Sequence, residues 1–224
     1  MLISITRQKF EEIIPLLPTG AQYLYYWGKV SDVLKRLLIT VVGIVIISVM
    51  GLVLKEGFSG VTFILNLIVG LYWLWAPIYL ASRRNAEYRR YSHCGFWQGQ
   101  VLDVFISEEL IGKEETVNRR GDLVVIENRE RRLNLEVGDE TGFATKVQVP
   151  LRREHQVIRR NEIAEMLVLS NQSDLSRIAK ISDVYIPADK LWVSDYPYVR
   201  RDTFEQISRT LRVRRRPMMD VDRS

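Results

Sequence analysis

"KRLLITVVGIVIISVMGLVL", residues 35–54, decides how the rest of the chain is read. From Leu37 to Leu54 there is no charged side chain over 18 residues. A second charge-free run, Gly57–Ser82, covers 26 residues and includes most of "FSGVTFILNLIVGLYWLWAPIYLASRR" (58–84). The hydrocarbon core of a bilayer is roughly 30 Å thick and takes about 20 apolar residues as a helix. A helix buried in a soluble protein keeps a polar stripe, and neither run has one. Both runs read as membrane spans. The short connection "KEGFSG" (55–60) folds them into an antiparallel hairpin, with both chain ends on one side.

The flanking charges say which side. Lys29, Lys35 and Arg36 precede the first run, and Arg83, Arg84, Arg89 and Arg90 follow the second. At the far tip Lys55 and Glu56 cancel. Basic residues stay on the cytosolic side, so both termini are expected in the cytosol, or in the stroma of a plastid. The start, "MLISITRQKFEEIIPLLPTG", lacks the pattern of a cleaved signal peptide.

Aromatic residues crowd the same boundary. "AQYLYYWGKV" (21–30) holds Tyr23, Tyr25, Tyr26 and Trp27. Across the hairpin Tyr72, Trp73, Trp75, Tyr79, Arg83 and Arg84 repeat the order in reverse. Tyr and Trp favour the headgroup zone, where a ring is apolar at one end and hydrogen-bonded at the other. The first reading is an aromatic belt, with any surplus of rings serving as a docking surface. Pro77 removes a helical donor, so a kink is expected there. Asn66, mid-span, needs a hydrogen-bond partner in the hairpin or in another protein. Gly43, Gly51, Gly60 and Gly70 allow close helix contact.

Outside the hairpin the chain changes character. Ile5, Phe10, Ile13, Ile14 and Leu17 share one face of an N-terminal helix limited by Pro15 and Pro18. Such a helix lies on a bilayer or packs on a soluble domain. Beyond Arg83, alternating stretches occur at 96–106, 122–127, 132–137, 145–150, 164–170 and 180–187, separated by the turn groups "NRRGD", "VGDETG" and "SNQSD". Six short strands predict a small barrel or a strongly curved sheet. "DTFEQISRTLRVRRR" then predicts a C-terminal helix that buries Phe204, Ile207 and Leu211. The expected fold class is a membrane protein with an antiparallel two-helix transmembrane hairpin and a cytosolic, mainly β, small-barrel-like domain closed by a C-terminal helix. Its parts are an amphipathic, aromatic-rich segment (1–36), the hairpin (37–83), the β-rich domain (84–213) and a basic tail (214–224).

The residues do not assemble into catalytic chemistry. The chain has two histidines, His93 and His155, and one cysteine, Cys94. A metal site needs three or four convergent ligands. His93 and Cys94 are chain neighbours, which seldom face each other as nucleophile and base. "IGKEET" (111–116) lacks the upstream glycine and the Ser/Thr of a phosphate loop. No ionisable residue lies within the spans to couple ions, which argues against a transporter acting alone. The formal charge of +5 fits topology and lipid contact, and no nucleic-acid signature accompanies it. No catalytic, cofactor-binding or metal site is expected. Bound pigment would have only Asn66 or Gln22 as a ligand near the apolar part.

"GAQYLYYWGKVSDVLKRLLITVVGIV" (20–45), "LYWLWAPIYLASRRNAEYRRY" (71–91) and "FWQGQVLDVF" (96–105) resemble a family of two-span cyanobacterial and plastid thylakoid proteins, loosely labelled phosphate-transporter permeases. The resemblance implies a thylakoid auxiliary factor that assists assembly of photosystem II reaction-centre subunits. Its expected partners are membrane lipid and an integral membrane client or another assembly factor. A small subunit of a transporter and a pigment- or quinone-binding protein are the alternatives.

Overall fold

The computed structural model describes residues 1–53, 60–117 and 123–221. The tip of the expected hairpin (54–59), the "NRRGD" turn (118–122) and the last three residues lie outside the described residues. The elements in chain order are β1 (Leu2–Ile5), α1 (Arg7–Ile13), α2 (Gly20–Trp27), α3 (Val30–Val53), α4 (Gly60–Gly70), α5 (Tyr72–Arg89), β2 (His93–Val117), β3 (Leu123–Gly138), β4 (Ala144–Pro150), a 3₁₀ turn (Arg153–Val157), β5 (Ile163–Ser170), β6 (Lys180–Ile181), β7 (Val184–Ile186), β8 (Leu191–Val193) and α6 (Arg201–Val221). They form two units, Met1–Ile13 with Tyr91–Ser224, and Ile14–Arg90.

The first unit is a mainly antiparallel sheet with a C-terminal helix. Its strand order is β4-β3-β2-β5-β7-β8, with β1 added to β2 and β6 to β5. Period-2 alternation separates the faces. Trp97, Val101, Leu135, Met166, Val168, Ile186 and Val193 fill one core. Their strand neighbours Phe96, Tyr185 and Trp192 point the other way and meet Phe204 of α6 at ring distances of 5.3, 6.1 and 5.1 Å. Among the described residues the sheet is an open path rather than a closed barrel. In place of a final strand pairing, the 3₁₀ turn packs against β8, with His155 buried.

Two parts of this unit depart from the sequence expectation. Residues 1–13 do not belong to a separate N-terminal segment. β1 adds to β2 in the register Leu2↔Trp97 to Ile5↔Cys94, and Phe10 and Ile13 of α1 are buried. The expected short strands 122–127 and 132–137 are one strand, β3, paired with β2 from Gln100↔Gly138 to Val117↔Leu123. On the β2 side β5 pairs as far as Gln100, and on the β3 side β4 pairs as far as Arg132. Beyond those points β2 and β3 form a two-stranded ribbon, about 35 Å long from Ser107 to Val117 at ~3.3 Å per residue. Arg132–Glu109 (3.1 Å) and Lys113–Glu127 (3.8 Å) tie its strands across.

Beneath α6 the loop 194–200 is fixed by Asp183. The carboxylate, 2 % exposed, accepts the backbone N–H groups of Tyr198 (3.0 Å) and Val199 (3.4 Å). Burial pushes its pKa up to about 7, against the pull of those two N–H groups. α6 continues to Val221, past the start of the expected tail at 214.

The second unit is helical. α3 is the one described helix that alone is long and apolar enough to cross a membrane; its 24 residues measure about 36 Å. α4 packs along it closely, since a Cβ on Gly43 would come within 2.5 Å of Val69 Cγ1. The second apolar run is not one helix over 58–82. It breaks between α4 and α5 with a bend of 68°. The kink expected at Pro77 therefore falls at Leu71, and Pro77 lies inside α5, buried.

Candidate functional site

The aromatic boundary is assembled from the ends of four helices. Thr19 starts α2 with a reciprocal cap: Gln22 N–H donates to Thr19 Oγ1 (3.4 Å), and Thr19 N–H donates to Gln22 Oε1 (3.0 Å). α2 ends at Gly28, whose φ of +70° suits glycine. Any Cβ there would also come within 2.6 Å of Asp32 Oδ2, the atom that accepts the Lys29 N–H at the start of α3.

Arg36 closes this corner. It is 9 % exposed. Its guanidinium donates to the carbonyls of Asp32 (3.2 Å), Tyr26 (3.0 Å) and Trp27. The last two are carbonyls that a helix C-terminus leaves without intrahelical donors. The same guanidinium lies 5.5 Å from the centre of the Trp27 ring, a cation–π contact.

A second buried link joins α2 to α5. Gln22 and Asn85 are both fully buried. Gln22 Nε2 donates to Asn85 Oδ1 (3.1 Å), and Asn85 Nδ2 donates to Gln22 Oε1 (2.8 Å). The two buried amides satisfy each other, and removing one takes from the other its amide partner without giving it water. Gln22→Leu or Asn85→Leu alone is expected to cost about 2–3 kcal/mol. The double Leu variant is expected to lose less than the sum of the two, by about 1–2 kcal/mol. Thermal melts of the four proteins in one detergent give the cycle; strict additivity would count against the pairing.

The aromatic rings meet in linked groups. Tyr23 lies 5.4 Å from Trp27, Trp27 lies 5.8 Å from Trp73 on α5, and Tyr25 lies 5.3 Å from Tyr26. Along α5, Tyr72–Trp75 and Trp75–Tyr79 are at 5.3 and 6.2 Å, both edge-on. Arg84 sits 5.9 Å from the centre of Tyr25, and Arg83 is exposed on α5. The structure thus joins Tyr23, Trp27 and Trp73 into one group and Tyr72, Trp75 and Tyr79 into another. Asn66 stands apart on α4, where its Oδ1 is buried with no hydrogen-bond partner.

Sequence reasoning passed over Arg36 and Asn85 as organisers of this site. The spacing Thr19-x-x-Gln22 is the capping-box pattern and marks the start of α2. Asn85 carries no local signal, because its partner is 63 residues away. Gln22, the potential pigment ligand, has its amide committed to Asn85 and Thr19.

His93 and Cys94 are adjacent on β2 and so point to opposite faces. Cys94 is buried, and burial pushes its thiol up to about 12, far from the thiolate that a nucleophile needs. Among the described residues, no three His, Cys, Asp or Glu side chains are grouped to hold a metal ion. No curated protein and no solved structure matches the chain. The model of DUF8619, a family of unknown function, matches residues 3–216, and the chain belongs to that family.

Proposed function

We propose that this protein is a membrane-anchored auxiliary factor that works by binding rather than by catalysis, with an integral membrane protein as its client. The observation that carries the reading is the way the chain is interrupted. Residues 1–13 and 91–224 fold as one sheet unit, while the apolar helices lie wholly in the segment between them. The two ends of that segment therefore emerge on the same side of any bilayer, and α3 has to be matched by a return. A cleaved signal sequence fits poorly, because cleavage after α3 would remove β1 and α1 from the sheet unit. The Tyr/Trp boundary and the basic residues Lys29, Lys35, Arg83, Arg84 and Arg90 support a cytosolic or stromal placement of both termini and of the sheet.

The β2–β3 ribbon is the part suited to hold a client. Its free edges and exposed Leu110, Ile111, Leu123 and Val125 offer backbone and apolar contacts of the kind used in strand addition. The resemblance of 20–45, 71–91 and 96–105 to two-span thylakoid proteins supports a photosynthetic client, with photosystem II reaction-centre subunits first. Affinity purification of the tagged protein from native photosynthetic membranes tests this. The expected result is recovery of reaction-centre subunits with it. Recovery of lipid alone removes the client role, and recovery of a many-span transporter instead makes the protein an accessory transport subunit.

A further inference from the structure

The apolar and charged residues of α5 are separated along the helix axis, not around it. Tyr72–Ser82 carries no charge, whereas Arg83, Arg84, Glu87, Arg89 and Arg90 follow within eight residues. One face buries Ala76, Pro77, Ala81, Asn85 and Tyr88. The exposed positions are Leu74, Trp75, Ile78 and Tyr79 in the first half and Arg83 beyond them. A helix that ran flat in the headgroup layer would show a polar stripe along its whole length. This one changes from oil-like to water-like from end to end.

The elbow before α5 is built, not frayed. Leu71 N–H still donates to Leu67 O (3.1 Å), and the Leu71 carbonyl accepts from both Leu74 (3.0 Å) and Trp75 (3.1 Å). The break exposes carbonyls in the last turn of α4, and the Trp75 indole N–H donates to that of Ile68 at 2.9 Å. The elbow lies beside the middle of α3. A Cβ on Gly70 would be 3.7 Å from Ile44 Cδ1, and Trp73 contacts Trp27 beside Arg36. Arg36 and Ile44 are eight residues apart, about 12 Å along the helix. The elbow is thus within one leaflet's depth of the Arg36 level.

We propose that α5 is an oblique wedge in the leaflet on the side of the chain ends, and not the upper half of an upright span. This rests on the membrane anchorage argued above. α5 turns aside within the leaflet at Leu71, lays Leu74, Trp75, Ile78 and Tyr79 against acyl chains, and brings Arg83 to the lipid phosphates. Its lipid-facing surface continues that of α3 and α4, and its basic end complements the headgroups. Ile78 also lines an open apolar cleft of about 310 Å³ with Leu17, Pro18, Gly20 and Tyr23, which an acyl chain can enter.

The two geometries differ in how fast depth changes along α5. Depth is compared between positions on one side of the helix, because side chains on opposite sides of a tilted helix also differ in depth by its width. Leu80 and Glu87 are seven residues apart, nearly two full turns, and both are exposed. In an upright helix they differ in depth by about 10 Å. With α4 along the bilayer normal and a bend of 68°, they differ by about 4 Å. A depth-sensitive fluorophore is placed on Leu80→Cys, Glu87→Cys and, as a reference on α3, Ile46→Cys, each in full-length protein carrying Cys94→Ala. The vesicles are phosphatidylcholine with phosphatidylglycerol and contain lipids with quenchers at graded depths. The expected result is an 80–87 difference of about 4 Å with position 46 deep in the core. A difference of about 8 Å or more with position 46 deep overturns the wedge and leaves the anchorage standing. Quenching of position 46 from water alone overturns the anchorage itself. Tyr79→Cys and Ala86→Cys repeat the same spacing if either first variant misfolds.

Discussion

Arg36→Ala is expected to release α2 before anything else in the helical unit unfolds. The substitution removes a buried guanidinium that serves three carbonyls, two of them at the C-terminus of α2. Those carbonyls have no helical donors of their own, and at the membrane boundary proposed above they gain little from water. Hydrogen bonds to charged groups contribute roughly 1.5–3 kcal/mol each. The sum is not additive, and a local loss of about 3–4 kcal/mol is the reasonable scale. Hydrogen exchange of the α2 amides should then accelerate on the order of 100-fold or more. Arg36→Lys separates charge from geometry. An ammonium keeps the charge but cannot present the planar fork that reaches three acceptors, so exchange should fall between the two. Protection unchanged in Arg36→Ala would show that the corner is held by the aromatic contacts alone.

The contrast between Arg36 and Pro77 shows how far local pattern carries. α3 was legible because length and absence of charge are enough to define it. The break in the second run was not. Pro77 is the strongest helix breaker in the run, yet α5 tolerates it. The bend occurs instead six residues earlier, where Gly70 ends α4 and the Trp75 indole serves a freed carbonyl. That hydrogen bond depends on a rotamer seven residues on, which hydropathy does not encode.

The sheet taught a similar lesson. "ENRERR" (127–132) reads as a connection because it is wholly polar, yet it contains no Gly or Pro to turn the chain. A ribbon with water on both faces needs no alternation, so the period-2 signal goes silent through the middle of β3. β1 was hidden for the opposite reason. "LISI" is only four residues long, and its apolar side chains merge with the helical stripe of Phe10 and Ile13. Of the site, the rings and arginines were visible as composition. The Gln22–Asn85 pair and the Arg36 corner are tertiary facts and left no periodic trace.

Asp183 is expected to make the sheet unit less stable as pH rises from about 4 to 7. Its carboxyl is fully buried and titrates in the folded state at about 7, against an ordinary value of 3.8. The folded state therefore holds a proton through that interval which the unfolded state has already lost. By linkage, stability is fully present below the unfolded value and declines until the folded value is passed. A rise from 3.8 to about 7 corresponds to on the order of 4 kcal/mol, or a fall of roughly 10 °C in Tm for a chain of this size. Arg201 lies close enough to favour the charged form, which limits the fall. Glu165, buried beneath Ser208 and Arg212 of α6, is also raised by burial and slopes the same way; His155, lowered by burial, slopes oppositely. Asp183→Asn isolates one group from the others. Asn keeps an acceptor for the Tyr198 N–H and carries no titrating proton. Melting of wild type and Asp183→Asn by circular dichroism between pH 4.5 and 8.5 should give curves that converge or cross, with the variant at least as stable at the alkaline end. Parallel curves would mean that Asp183 stays ionised throughout, held by the two backbone N–H groups and Arg201 against its burial.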